Sequence, residues 1–290
     1  MANNCLSVAL HGGAGARRSV DYSAQVPHMK GLIEAARDRL TAGASALDVA
    51  VETVAALEAS GLYVAGRGAS PGRTGVFELD ASLMDGATAK AGAVAALVGF
   101  QSPIAVARAV MERTDHVLMA GEGAAAFAAE EGLARIDDPA SWFNPARPGK
   151  VEDNGLHGTV GCVVRDAEGR LAAATSTGGT FRKRYGRVGD TPVIAAGTWA
   201  DGTAAVSCTG VGEYFLRTAA AAQVAFRMRF GGQTLAQAAG AVIGEIGALG
   251  GDGGLIAVDA EGNLALPYNS EGMKRAWLTR DGEIGATVFA

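Results

Sequence analysis

The residues whose types and spacing could carry chemistry concentrate in the second half of the 290-residue chain. Thr159, preceded by Gly158, opens the apolar, β-branched run Thr159–Val164, which reads as a strand. Arg165-Asp166-Ala167-Glu168-Gly169 reads as a turn and Leu171–Thr177 as the second strand of a hairpin. A threonine hydroxyl becomes a nucleophile when a base lies within hydrogen-bond reach, and a free N-terminal amine is one such base. Thr159 would own that amine only if the chain were cut before it, and composition does not reveal such a cut. Arg187 and Asp190, close to one turn, form the second candidate. The guanidinium fork can hold a carboxylate and the aspartate can pair with an ammonium. On spacing alone, the two serve equally well as a surface ion pair.

Three other stretches look chemical and fail on context. The strand Leu6–Leu10 runs into His11-Gly12-Gly13-Ala14-Gly15, but the spacing lacks G-x-G-x-x-G and no Lys-Ser/Thr follows, which disfavours nucleotide binding. His11 therefore reads as a structural hydrogen-bonder. Gly68-Ala69-Ser70-Pro71-Gly72 matches G-x-S-x-G, yet a nucleophile elbow needs a strand before the serine and a helix after it. AGRG precedes and GRTG follows, so Ser70 reads as a loop residue. Glu78, Asp80 and Asp85 lie on or after the alternating strand Val76–Met84, and a solvated or structural role fits them better than a catalytic carboxylate pair.

The elements that must position these residues alternate between strands and helices. Residues 27–42 read as a helix with Pro27 in its first turn and apolar Leu32, Ala35, Ala36 and Leu40. Residues 45–60 read as another, capped by Ser45, with Leu47, Val51, Val54 and Leu57 on its apolar face. A strand over 90–99 and helices over Pro103–Glu112 and Ala120–Glu131 follow. The stretch from Ala134 to His157, with its prolines and polar residues, reads as a long loop of the functional or flexible kind. Beyond the hairpin, Thr191–Thr198 and Ala204–Ser207 read as strands, Glu213–Phe230 as one long helix and Leu235–Leu249 as another. Leu255–Val258 and Leu264–Pro267 read as a final hairpin, and no internal repeat appears. Two blocks of strands with paired helices imply a layered α/β sandwich.

Composition removes several function classes. The net charge of −5, with no Lys/Arg run beyond Arg182–Arg184, gives no electrostatic footprint for nucleic acid. No stretch of about 18 uncharged apolar residues could span a membrane. The start MANNCLSVALHGG lacks the basic region of a signal peptide. Cys5, Cys162 and Cys208 have no paired spacing, which suits reduced thiols in a cytoplasmic protein. The 42 glycines are dispersed and not periodic, which points to tight turns and close backbone approaches.

HGTVGCVV, TSTGG from Thr175, GRVGDTP from Gly186 and SCTGVGE from Ser207 together resemble the plant-type asparaginase and isoaspartyl peptidase family. The resemblance runs from HGGAGA at His11 to LPYNSEGMKRAW at Leu266, and several ordered motifs are a specific signal where any one is weak. It implies an N-terminal-nucleophile hydrolase with a four-layer αββα sandwich. One domain, 1–290, would be cut between Gly158 and Thr159 into fragments 1–158, with a flexible tail of about 134–158, and 159–290.

Thr159 would be the nucleophile and its freed amine the base, with Thr177 orienting it. Thr209 and the Gly210 N–H would form the oxyanion hole, with Gly210 opening the long helix. Without the resemblance, Thr177 and Thr209 read as ordinary strand threonines. Arg187 would hold a substrate α-carboxylate; Asp190, assisted by the Gly212 carbonyl, would hold its α-ammonium. That selects β-linked bonds, namely isoaspartyl dipeptides and the amide of L-asparagine. The resemblance further implies Na⁺ among the carbonyls of Leu57, Glu58, Ser60, Tyr63, Ala65 and Arg67, no organic cofactor, and a pair of αβ units. Val64 departs from it, standing where the family has an asparagine near the catalytic threonine. The rival readings are a glycosylasparaginase-type amidase and a non-catalytic relative that binds an amino acid.

Overall fold

Runs such as Leu6–Leu10 and Val160–Val164 are apolar on both faces of a strand, so both faces need cover. The computed structural model, which describes residues 5–144 and 158–290, supplies that cover with two packed sheets and two groups of helices. The first part of the chain forms β1 (Ser7–Ala14), α1 (Gln25–Thr41), α2 (Ala46–Ser60), β2 (Leu79–Asp85), β3 (Ala91–Leu97) and α3 (Pro103–Arg113). Then come β4 (Leu118–Ala120), α4 (Gly121–Glu130), the single turn α5 (Pro139–Trp142), β5 (Val160–Arg165) and β6 (Leu171–Thr177). The remainder forms β7 (Thr198–Ala200), β8 (Ala204–Gly210), α6 (Gly212–Thr218), α7 (Ala220–Gly231) and α8 (Leu235–Ala248). It closes with β9 (Gly253–Asp259), β10 (Leu264–Ala265), β11 (Met273–Leu278) and β12 (Ile284–Thr287).

The larger sheet runs β12-β11-β1-β5-β6-β2-β3-β4, and the smaller β10-β9-β8-β7. The expected central hairpin is β5–β6, and it lies in the middle of the larger sheet beside β1. Strand alternation sorts the side chains into distinct layers. Val8, Leu10, Val160, Cys162, Ala172, Ala174 and Leu83 pack with Met29, Ile33, Val54, Leu57 and Ile104 from α1, α2 and α3. On the other face Ala9, Val163, Ala173 and Met84 meet Ala205, Ile256 and Val258 of the smaller sheet. Val206, Cys208, Leu255 and Ala257 turn outward against α7 and α8. Cys162 and Cys208 are buried free thiols in these layers.

Local signals explain several boundaries. Ser45 accepts the Asp48 N–H as the α2 N-cap, and Gly61 ends that helix at φ +70°. The face that α1 buries is Met29, Ile33, Ala36 and Leu40, rotated from the expected one so that Ala35 is exposed. Within the expected loop 134–157, Arg135 bridges Phe100 and α5 forms under an Asp138 cap. Residues 145–157, most of the expected flexible tail, lie outside the described residues.

Two expected elements are corrected, and they share one cause. Residues 191–197 form turns, with Val193 N–H on the Asp190 carbonyl and Gly197 N–H on the Val193 carbonyl, so β7 begins only at Thr198. The expected helix Glu213–Phe230 breaks at Ala219, which sits in the left-handed region at φ +49°, ψ +47°. The first N–H groups of α7, on Ala221 and Ala222, donate to the carbonyls of Ala196 and Ala195 in that turn. The turn caps the helix, and apolar periodicity alone cannot foresee such a contact.

Left-handed backbone costs an alanine about 1–2 kcal/mol, part of which glycine returns through its freer unfolded chain. Ala219→Gly is therefore expected to stabilise the fold by about 0.5–1 kcal/mol, read as a higher denaturant midpoint. A lower midpoint would contradict the break at Ala219.

Candidate active site

The layer between the sheets changes character along the strands. Its apolar end holds Ala9, Val163 and Ala173; the other end holds His11, Ser82, Thr159, Thr175, Thr177, Thr198, Ser207 and Thr209, all buried. Thr159 precedes β5 here. Its Oγ1 lies 3.4 Å from Thr177 Oγ1, a long contact for two hydroxyls. Thr177 donates to the Gly158 carbonyl at 2.7 Å and accepts the Gly179 N–H at 3.0 Å. The Gly158–Thr159 carbonyl and both hydroxyls thus share one buried spot.

Two glycines admit the backbone there. A Cβ on Gly158 would come within 2.7 Å of the Val64 side chain. Gly13, at φ +99°, lies so near that a Cβ would meet Thr159 N at 3.1 Å. The next residue, Ala14, donates its N–H to Thr209 Oγ1 at 3.1 Å, which ties β8 of the smaller sheet to the same spot. One lone pair of Thr209 is thereby filled, and its own proton remains to be donated. Gly210 is the last residue of β8 and opens no helix; α6 starts at Gly212 with no side-chain cap. His11 holds the Thr159 carbonyl through Nδ1 at 3.0 Å, and burial keeps its pKa down at about 3, so it is a neutral hydrogen-bonder and no base.

A second, charged cluster joins Arg187, Asp190 and Gly212. The Asp190 carboxylate lies so close to Gly212 that a Cβ there would meet Oδ1 at 2.6 Å. Burial pushes the Asp190 carboxyl up to about 7, while Arg187 pulls in the opposite direction. Its Oδ2 has no hydrogen-bond partner among the described residues. The Arg187 fork grips Glu213 through two bonds of 2.9 and 2.8 Å. The sequence reading missed Glu213; its only signal was an acid after Gly212, 26 positions from the arginine. Asp80, directly across from Thr177 in β2–β6, connects the two clusters. It is buried with Oδ2 unpartnered among the described residues, and burial raises its pKa against Lys183. Lys183 itself is buried and donates to the Glu78 carbonyl at 3.1 Å, so the charges of the basic Thr180–Tyr185 loop do not all face outward.

The expected cation loop has suitable chemistry. Leu57, Glu58 and Ser60 are in the last turn of α2, where carbonyls lack helical partners and the partial charge is negative. The Leu57 carbonyl accepts the Ser60 hydroxyl at 2.8 Å and keeps its second lone pair. No basic side chain occupies that turn, and the Glu58 carboxylate turns away to bond Ser102 and the Ile104 N–H. The Gly66–Gly68 turn packs back on α2, with Gly66 against the Glu58 carbonyl. Tyr63, Ala65 and Arg67 each accept one backbone N–H and keep a second lone pair. These oxygens fit a hard cation. Ser70 is buried in a loop beside Gly178, away from any strand–helix elbow.

A carboxyl whose pKa rises from 3.8 to about 7 on folding binds more protons in the native state across that window. Its burial thus destabilises the fold above pH 7, and the penalty fades as pH falls towards 3.8. Asp190→Asn should remove that dependence, narrowing the gap in melting temperature between pH 8 and pH 5 relative to the parent. An unchanged gap would contradict the buried, unpaired carboxylate.

Comparison with known proteins bears on the same residues. The family described as asparaginase matches residues 4–147 and 140–288, which spans both sides of the Gly158–Thr159 junction. An isoaspartyl peptidase of Salmonella typhimurium is 48% identical, over 93% of this chain and 94% of its own. One of Escherichia coli is 44% identical over 93% and 92%. A plant-type L-asparaginase of Pyrobaculum calidifontis is 40% identical over 97% and 99%. With near full-length matches at these identities, the chain belongs to the plant-type asparaginase and isoaspartyl peptidase family.

Proposed function

We propose that this protein is a self-processing threonine amidohydrolase that cleaves isoaspartyl dipeptides and the side-chain amide of L-asparagine. The observation that carries the reading is the buried junction of Gly158 carbonyl, Thr177 hydroxyl and Thr159 hydroxyl, in a chain whose relatives bear those two activities in their names. The order helices, sheet, sheet, helices supports the four-layer αββα architecture. One domain, 1–290, would mature into 1–158 and 159–290 and assemble as a pair of αβ units.

In the uncut chain the Thr177 hydroxyl polarises the Gly158 carbonyl. Thr159 Oγ1 attacks that carbon, the peptide C–N bond breaks, and the nitrogen ends with the proton the hydroxyl gives up. Water then hydrolyses the ester, which restores the Thr159 hydroxyl and leaves a carboxylate on Gly158. An α-amine titrates near 7.7–8.0, so the freed Thr159 nitrogen can take the Oγ1 proton near neutrality.

The substrate's α-carboxylate goes to Arg187, replacing Glu213 in the fork, and its α-ammonium goes to Asp190, whose Oδ2 gains a partner. With the aspartyl backbone so held, the side-chain carbonyl faces Thr159. Oγ1 attacks it, the Thr209 hydroxyl and Gly210 N–H hold the oxyanion, and the amine or ammonia leaves with the proton from Oγ1. Water releases aspartate. Free Cys5, Cys162 and Cys208 suit a reducing, cytoplasmic setting, and no helix among the described residues is long and apolar enough to cross a membrane. A Na⁺ held by the Leu57, Glu58, Ser60, Tyr63, Ala65 and Arg67 carbonyls would stiffen the loop that carries Val64 against Gly158.

Thr159→Ala should stay uncut and lose at least about a thousandfold in turnover of β-Asp-Leu and L-asparagine. Arg187→Ala should still be processed but raise KM by about ten- to a hundredfold. Turnover surviving in Thr159→Ala, or uncut Arg187→Ala, would contradict these roles. At equal ionic strength the melting temperature should be higher in NaCl than in tetramethylammonium chloride, and equal values would remove the cation.

A further inference from the structure

The inter-sheet layer holds a run of side chains to which the mechanism above gives no part. His11 Nε2 lies 2.9 Å from Ser207 Oγ, and Ser207 Oγ lies 2.8 Å from Thr175 Oγ1. Thr198 donates to Thr175 at 2.6 Å, and Ser82 donates to Thr198 at 2.7 Å. Ser82 also reaches the Thr191 carbonyl at 2.5 Å. At the other end His11 Nδ1 meets the Thr159 carbonyl at 3.0 Å. The run crosses strands β1, β2, β6, β7 and β8 of both sheets, and every side chain in it is buried. Its ends are the backbone of the nucleophile and the residue after Asp190.

The chemistry fixes its direction. A carbonyl only accepts, so His11 Nδ1 carries the ring proton and Nε2 accepts. Ser207 must then donate to Nε2, Thr175 to Ser207, Thr198 to Thr175 and Ser82 to Thr198. The single Ser82 proton is shared between Thr198 and the Thr191 carbonyl. Thr175, whose short bond is to Ser207 at 2.8 Å, also has the Gly197 carbonyl at 3.4 Å. All hydroxyls point one way, so each bond polarises the next, and removing one loosens those beyond it. The backbone has been cleared for the run: a Cβ on Gly161 would sit 2.0 Å from Ser207 Oγ and 2.6 Å from His11 Nε2.

We propose that His11, Ser207, Thr175, Thr198 and Ser82 form one positioning relay that sets the Thr159 nucleophile and the Asp190 loop in register. The proposal rests on the roles given to Thr159 and Asp190 above. The proposed substrate contacts at Arg187, Asp190 and Gly212 include none of the relay side chains. Their function is to make the distance between nucleophile and ammonium site a property of both sheets together.

A double-mutant cycle tests this. Ser82 and Ser207 make no hydrogen bond to each other, and neither is assigned a chemical step. Ser82→Ala and Ser207→Ala are each expected to lower kcat/KM for β-Asp-Leu by about tenfold, and the pair together by about tenfold as well, as for residues that act as a unit. Ser82→Ala should lower kcat as well as raise KM, because its loss reaches the Thr159 carbonyl. Thr198→Val removes the hydroxyl at constant shape and should behave like the others, whereas Thr198→Ser keeps the hydroxyl and should retain activity. Losses that multiply to about a hundredfold would overturn the relay, as would damage from Thr198→Ser but not from Thr198→Val. Melting temperature and cleavage state, recorded for each variant, separate misfolding from mispositioning. Failure of the nucleophile reading would appear separately, as an active Thr159→Ala.

Discussion

A buried hydroxyl must find a partner, and the space between the two sheets enforces this at one end only. Toward its apolar end, Ala9, Val163 and Ala173 meet Ala205 and Val258 and need nothing beyond contact. Toward the other end His11, Ser82, Thr175, Thr177, Thr198, Ser207 and Thr209 are all buried, so each donor must be met by an acceptor already in place. Position is what that constraint supplies. Thr177 cannot shift without losing Gly158 or Gly179, and Thr209 is held by Ala14. Glycines at 13, 158 and 161 matter for the same reason: a Cβ at any of them would push apart the pieces that have to touch.

The charged cluster obeys the opposite logic. Arg187 has satisfied itself on Glu213, while Asp190 and Asp80 each keep a buried oxygen without a partner among the described residues. Unpaired buried carboxylate is costly, which is why burial drives Asp190 to about 7. On the proposed reading, a ligand that brings an ammonium and a carboxylate would relieve that cost at Asp190 and substitute for Glu213 at Arg187. Binding energy in such a site comes from a defect left in the protein, and the glycine at 212 is what lets the defect sit so close to α6.

Much of this was legible in the residues. The β5–β6 hairpin, the Ser45 cap and the buried thiols follow from alternation, capping chemistry and apolar context. The candidate site residues Thr159, Thr177, Arg187 and Asp190 were legible as a set only through ordered motifs, because nothing local distinguishes Thr177 from any strand threonine. What stayed hidden depends on contacts distant in sequence. The turn at 191–197 and the break at Ala219 exist because Ala195 and Ala196 cap α7. Strand β4 is too short and exposed to show a pattern, and β11 is interrupted by half-buried Lys274 and Arg275. The Glu213 partner of Arg187 lies beyond the 191–197 turn and both β7 and β8.

The central claim is that Thr159 acquires a free backbone nitrogen and then uses it as its own base. Mass spectrometry of freshly purified, catalytically active protein addresses that directly. The account predicts two fragments, with the second beginning at Thr159 and running to Ala290, and activity that rises in step with their appearance. An intact chain that hydrolyses β-Asp-Leu at full rate, or a new terminus at any other residue, would contradict it.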